Sequence, residues 1–150
     1  MPAEFERTIP ILRIFDVKKA KEFYLGFLGF KLDWEHRFEP RTPLYMQVSR
    51  GDLIFHLSEH HGDSVPGAAV FVALSGLREF HREISSKGYR FYRPSIRRMP
   101  WHADLMEVQD PFGNRIRFNE YVPAKKPAQR AATGKNTRKA AGRKPARSRA

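Results

Sequence analysis

Apolar and polar positions along the chain trace the same series of elements twice. Ile9–Phe15 is a short β-type run, and Asp16 follows it where a helix N-cap belongs. Val17, Ala20, Phe23, Tyr24, Phe27 and Leu28 then recur at three- and four-residue spacing, the stripe of an amphipathic helix that Gly29 closes. Strand-like runs follow at Phe30–Phe38, Leu44–Ser49 and Leu53–Leu57, with Arg50-Gly51-Asp52 as a tight hairpin between the last two. The polar stretch Ser58–Gly67 predicts a loop.

The series then restarts. Ala68–Leu74 reads as a strand, Ser75 as an N-cap, and Leu77, Phe80, His81 and Ile84 as the stripe of a second helix ended by Gly88. Further strands are predicted at Tyr89–Tyr92, Ala103–Val108 and Arg115–Tyr121, the last two joined by the turn Asp110-Pro111-Phe112-Gly113-Asn114. The N-cap positions are 75 − 16 = 59 residues apart, and the closing glycines 88 − 29 = 59. The pattern predicts an α+β protein of paired β-α-β-β-β modules, residues 5–60 and 66–121, in one domain spanning 1–122.

Charge sets the end of the chain apart. The formal net charge is +12, but residues 1–122 hold 18 Lys/Arg against all 16 Asp/Glu, a balance of 18 − 16 = +2. Residues 123–150 hold 10 Lys/Arg, no acid, no aromatic and no Val, Ile, Leu or Met. Such a segment cannot bury enough apolar surface to offset its ordering entropy, so a disordered basic tail is expected there. The near-neutral domain excludes a basic nucleic-acid-binding fold, whereas the tail is a candidate for salt-dependent, sequence-independent contact with nucleic acid.

Several classes of chemistry are excluded by absence. Without cysteine there is no disulfide, thiolate metal site or thiol nucleophile. The serines lack a G-x-S-x-G elbow, and the 10 glycines are too dispersed for a phosphate loop. No run approaches the roughly 20 apolar residues of a membrane span. The opening MPAEFERTIP carries acids where a secretory signal needs a basic start and an apolar core. A cytoplasmic protein with no membrane partner is the expectation.

Two segments carry a family resemblance. IPILRIFDVKKAKEFYLGFLGF is similar to the opening strand and helix of the vicinal-oxygen-chelate superfamily, and MPWHADLMEVQDPFGNRIRFNE to its closing hairpin. That superfamily includes glyoxalase I, extradiol dioxygenases and bleomycin-resistance proteins. The resemblance implies the glyoxalase/bleomycin-resistance fold, with curled mixed sheets enclosing a cavity, in a homodimer. It further implies that a metal in the family's enzymes would be held by side chains at four positions, here Ile9, His56, Ala69 and Arg117. Only His56 offers a lone pair, since isoleucine and alanine have none and an arginine cation repels a divalent ion. The neighbouring Thr8, Phe55, Ala68 and Ile116 supply no imidazole or carboxylate either. No metal and no cofactor are expected.

What the resemblance then implies is the non-catalytic, antibiotic-resistance branch, whose members bind bleomycin and sequester it. In that branch aromatics on the second strand and a tryptophan before the closing hairpin line a groove between subunits, and the matching positions are Trp34, Phe38 and Trp101. His56 facing the cavity, His60 and His61 in the loop (able to meet a metal carried in by a ligand) and Arg117 complete the expected site. The alternatives are a lyase- or dioxygenase-type enzyme with a degenerate or displaced metal site, and a nucleic-acid-associated protein acting through its tail. Bleomycins are cationic, whereas Arg41, Arg93, Arg97 and Arg98 flank the expected groove, so an aromatic or anionic metabolite is a further ligand class.

Overall fold

The computed structural model describes residues 1–123; the tail prediction, apart from Pro123, lies outside the described residues. The first module is β1 (Ile11–Arg13), α1 (Val17–Lys21), β2 (Lys31–His36), β3 (Tyr45–Arg50) and β4 (Leu53–Ser58). The second is β5 (Ala69–Ala73), α2 (Leu77–Ser86), β6 (Ile96–Met99), β7 (Ala103–Gln109) and β8 (Arg115–Tyr121). Each module folds into a 4-stranded mixed sheet, in the orders β1-β4-β3-β2 and β5-β8-β7-β6. The first strand of each module pairs in parallel with its last, and the other neighbours are antiparallel. The β-α-β-β-β order therefore occurs twice, as the repeat requires.

Local chemistry explains where the helices start and what they bury. Asp16 Oδ1 accepts from the backbone N–H of Lys19 at 2.8 Å, capping α1. The helix then widens into a π-helical stretch, Glu22–Phe27, so that Leu28 N–H reaches back to the Phe23 carbonyl at 2.9 Å. Phe23, Tyr24, Phe27 and Leu28 are all buried as a result. Gly29 closes the stretch at φ 73°, and a Cβ there would lie 2.5 Å from Arg50 Nη1. Only glycine fits.

Two local predictions need correction. The N-cap of α2 is Gly76 at φ 84°, not Ser75, and it has no side chain to cap with. The Glu120 carboxylate on β8 replaces it, accepting from Gly76 N–H at 2.8 Å and Leu77 N–H at 3.0 Å. Nor is Tyr89–Tyr92 a strand. Tyr89 stacks on Phe27, with ring centroids 4.5 Å apart, and the chain turns there before the edge strand β6 begins at Ile96. The predicted runs Ile9–Phe15 and Phe30–Phe38 shorten to β1 and β2.

One hydrophobic cluster spans both modules. Leu12, Met46, Val48, Phe55 and Leu57 come from the first sheet, and Met106, Val108, Ile116 and Phe118 from the second. Polar ties also cross between the modules, among them Asn114 Nδ2 to the Arg13 carbonyl at 2.8 Å and Lys87 Nζ to the Phe27 carbonyl at 3.1 Å. Arg50 pairs with Glu83 on α2 at 2.6 Å while its guanidinium sits over the Phe80 ring. Tyr24 O–H donates to the buried carboxylate of Asp110 at 2.7 Å, and Asp110 also accepts from the N–H groups of Phe112 and Asn114. Burial, followed by the charge of Asp110, raises the Tyr24 phenol well above its ordinary value. Since each sheet turns one side to this core, side chains at alternate positions line an opposite, uncovered face. Among the described residues no helix is long and apolar enough to cross a membrane.

Candidate functional site

Strand register decides which side chains meet on the uncovered face of the first sheet. Ile11, His56, Gln47 and Trp34 are successive cross-strand partners, so they form one row. Arg13, Ser58, Tyr45 and His36 form the next. The core-facing partners Leu12, Leu57 and Met46 alternate with them, which is why polar and aromatic groups collect on the open side.

The first feature of that side is an aromatic wall. The rings of Trp34 and Tyr45 lie nearly parallel, 11° apart with centroids at 5.9 Å, and the His56 ring stands edge-on to both. Phe38 meets His36 at 4.9 Å and His60 at 5.8 Å, each edge-on. A cleft of about 390 Å³ opens among Trp34, His36, Phe38, Tyr45, His60 and Asp63. Its far lip is fixed from within: Ser58 Oγ donates to Asp63 Oδ2 at 2.6 Å and accepts from the His60 N–H at 3.0 Å. Trp34 is 43% exposed and Phe38 76%, far more than packing residues of this size.

The second feature is a hydrogen-bond chain with a fixed polarity. Asp33 is ionised, its carboxyl held low by donors from Gln47 and Ser49, so the Gln47 group facing it at 3.0 Å must be the amide nitrogen. The Gln47 Oε1 therefore faces His56 Nε2 at 3.0 Å and requires a proton there. Burial holds the His56 imidazole below its ordinary value, so it is neutral at pH 7 and Nδ1 is bare. The Tyr45 O–H donates to that nitrogen at 2.7 Å. Burial and the nearby Asp63 charge raise the Tyr45 phenol, which keeps its proton. Both imidazole nitrogens are thus engaged by the chain itself, and neither is available as a base or a ligand.

The strand register also bears on the family's metal position. His56 lies beside Ile11, not Ile9, and Arg117 lies beside Phe71, not Ala69. The displacement is two residues along each strand, so the side chains stay on the same face and remain apolar. Among the described residues no three His, Cys, Asp or Glu side chains gather closely enough to hold a metal ion. The residues present do not fit such a group.

The expected site residues divide between two modules. Trp34, Phe38, His56 and His60 come together on the first, whereas His61 is exposed in the loop and enters no described hydrogen bond or ring contact. Trp101, in the turn between β6 and β7, and Arg117, on β8, belong to the second module. The Trp101 indole N–H donates to Asn119 Oδ1 at 3.0 Å, and Arg117 Nε donates to Glu107 Oε2 at 2.8 Å. Sequence reasoning missed Tyr45, Gln47 and Asp33. A signal for two of them was present, since Tyr45, Gln47 and Ser49 alternate with Met46 and Val48 along β3.

Comparison with known proteins identifies the fold and the family. No curated protein matches the chain by sequence. The bleomycin-binding protein of bleomycin-producing Streptomyces verticillus, solved with copper(II)-bleomycin, superposes with a TM-score of 0.61 at 22% identity, covering 81% of this chain and 100% of that one. The bleomycin resistance determinant of transposon Tn5 gives 0.63 at 20% identity, covering 79% and 100%. A glyoxalase/bleomycin resistance protein/dioxygenase superfamily member from Sphaerobacter thermophilus gives 0.57 at 18%, covering 77% and 98%. At these identities the likeness establishes the glyoxalase/bleomycin-resistance fold. A family model described as glyoxalase superfamily protein matches residues 2–125. This chain belongs to the glyoxalase superfamily.

Proposed function

We propose that the protein binds a planar aromatic molecule of the bleomycin type and sequesters it without chemistry, in a groove completed by a second copy of the chain. The observation that carries the reading is the exposed Trp34–Tyr45 wall, backed by an imidazole whose two nitrogens are already engaged. A flat heteroaromatic ring stacks on such a wall, gaining about 0.5–1.5 kcal/mol per aromatic pair beyond area burial. An enzyme of this fold would use an acid, base or metal ligand in the row of His56, and there the imidazole is engaged at both nitrogens while its neighbour Ile11 is apolar. The likeness to structures solved with bleomycin supports the ligand class.

A second copy accounts for what one chain leaves open. Trp34 and Phe38 belong to one module and Trp101 and Arg117 to the other, so a groove built from all of them requires faces from two chains. Ile11, Phe71 and Trp101 are 38%, 52% and 46% exposed, an apolar load that a soluble monomer rarely leaves uncovered.

Titration of tryptophan fluorescence with metal-free bleomycin tests the reading. Saturable quenching is expected, and Trp34→Leu should weaken it about tenfold, the loss of one stacked plate. Absence of quenching at ~100 μM, equivalent to roughly 5–6 kcal/mol of affinity, would sink it.

A further inference from the structure

We infer that the same groove also accepts planar aromatic acids, whose acid group is held by Arg97, Arg117 and Asn119 on the second sheet. The inference rests on the binding reading above and adds a ligand class opposite in charge to the bleomycins. On the face of this sheet, Arg97, Leu105 and Asn119 are successive cross-strand partners. Arg117 lies two residues before Asn119 on β8, between Phe71 and Glu107. Glu107 is the one carboxylate in these two rows, and it engages only the Nε of Arg117, at 2.8 Å. The Nη groups of Arg117 keep their donors, and Arg97 enters none of the described ion pairs. The face is therefore an array of donors with a positive balance.

Asn119 supplies an independent sign that an acceptor is missing. It is fully buried, and its carboxamide can be oriented in only one way. The Trp101 indole N–H is a donor and nothing else, so it must meet Oδ1, which it does at 3.0 Å. Nδ2 is then left inside the protein without a partner. Buried donors are almost always satisfied, because desolvating one with nothing in return is costly. A carboxylate fits what is lacking: two acceptor oxygens in one plane, matched to the guanidinium fork and open to an amide donor. Its ring then lies along the half-exposed Trp101, and the Trp34–Tyr45 wall of a second copy provides the facing plate.

Calorimetric titration of the full-length protein with quinoline-2-carboxylate and with quinoline tests this. The acid is expected to bind about tenfold tighter than the parent ring, the gain from one charge-assisted contact. Arg97→Gln should cut that preference to less than about threefold while leaving quinoline unchanged, and Asn119→Leu, which also frees the Trp101 indole N–H, should weaken the acid more than it weakens quinoline. Arg97 is exposed, so its substitution keeps the test decisive even where Asn119→Leu perturbs folding. Equal affinity for the two probes in the unaltered protein, with bleomycin still bound, overturns the acid subsite and spares the binding reading. A preference that survives both substitutions overturns the subsite as well. If bleomycin and both probes fail to bind, the binding reading itself falls.

Discussion

At the scale of single residues, the site is defined by a proton that stays in one place. Asp33 orients Gln47, the Gln47 Oε1 accepts from the His56 Nε2–H, and the bare Nδ1 takes the Tyr45 hydroxyl. This order has a pH limit whose sign follows from burial. The folded His56 resists protonation relative to its ordinary value of 6.5, so the unfolded chain takes up the proton first as the solution is acidified. The contribution is present in full above that value and is lost as pH falls below it. Between about pH 7.5 and 5.5 the unaltered protein should therefore lose stability more steeply than His56→Gln, measured by urea midpoints at each pH. Equal slopes would place the titration elsewhere. Protonated His56 also turns Nδ1 into a donor facing the Tyr45 hydroxyl, so ligand binding should weaken over the same range. His56 itself was legible in the sequence because a local motif marked it. Tyr45 and Gln47 left only the alternation of β3 as a signal, and Asp33 left none, because its approach to Gln47 depends on a register shift between Leu32 and Trp34 in β2 that no spacing rule reveals.

At the scale of elements, the repeat was legible because each module must bury one apolar stripe against one sheet, and that requirement prints a period in the sequence. The boundaries that failed share a physical cause: partners distant in the chain overrode local preference. Ser75 looks like a cap, yet Glu120 already occupies the N–H groups of Gly76 and Leu77, 44 and 43 residues away. Tyr89–Tyr92 has strand-forming residues, yet Tyr89 is claimed by the aromatic cluster of Phe23 and Phe27. Conversely, β6 contains Arg97 and Arg98, and as the edge of its sheet it tolerates a polar sequence that a buried strand would not. The Glu120 cap makes a quantitative prediction. Glu120→Ala leaves both N–H groups unmet at a helix start and should cost about 1–2 kcal/mol, whereas Ser75→Ala should cost under about 0.5 kcal/mol. Thermal or urea unfolding of the two variants reads the difference directly. Equal losses would return the cap to Ser75.

At the scale of the whole molecule, the two uncovered sheet faces differ in chemistry, and the difference argues for how they are covered. The first carries the aromatic wall with the carboxylates of Asp33 and Asp63 beside it. The second carries Phe71, Trp101 and the guanidinium groups of Arg97 and Arg117. Both faces carry exposed aromatics, and the carboxylates of the first can meet the guanidinium groups of the second, so the two are complementary. Both faces of one chain belong to a single core and cannot turn to meet each other, whereas two chains related by a two-fold axis can present each face to its complement twice. Sedimentation should accordingly give twice the 17.5 kDa chain mass at micromolar concentration. Phe71 lies on the second face, half exposed and outside the hydrophobic core cluster, so Phe71→Arg should yield a folded monomer. That monomer should retain its far-ultraviolet spectrum and lose bleomycin quenching, because the groove then has one wall. A Phe71→Arg protein that stays dimeric would move the interface to another surface. One that becomes monomeric yet binds with unchanged affinity would show that the first sheet's wall suffices alone.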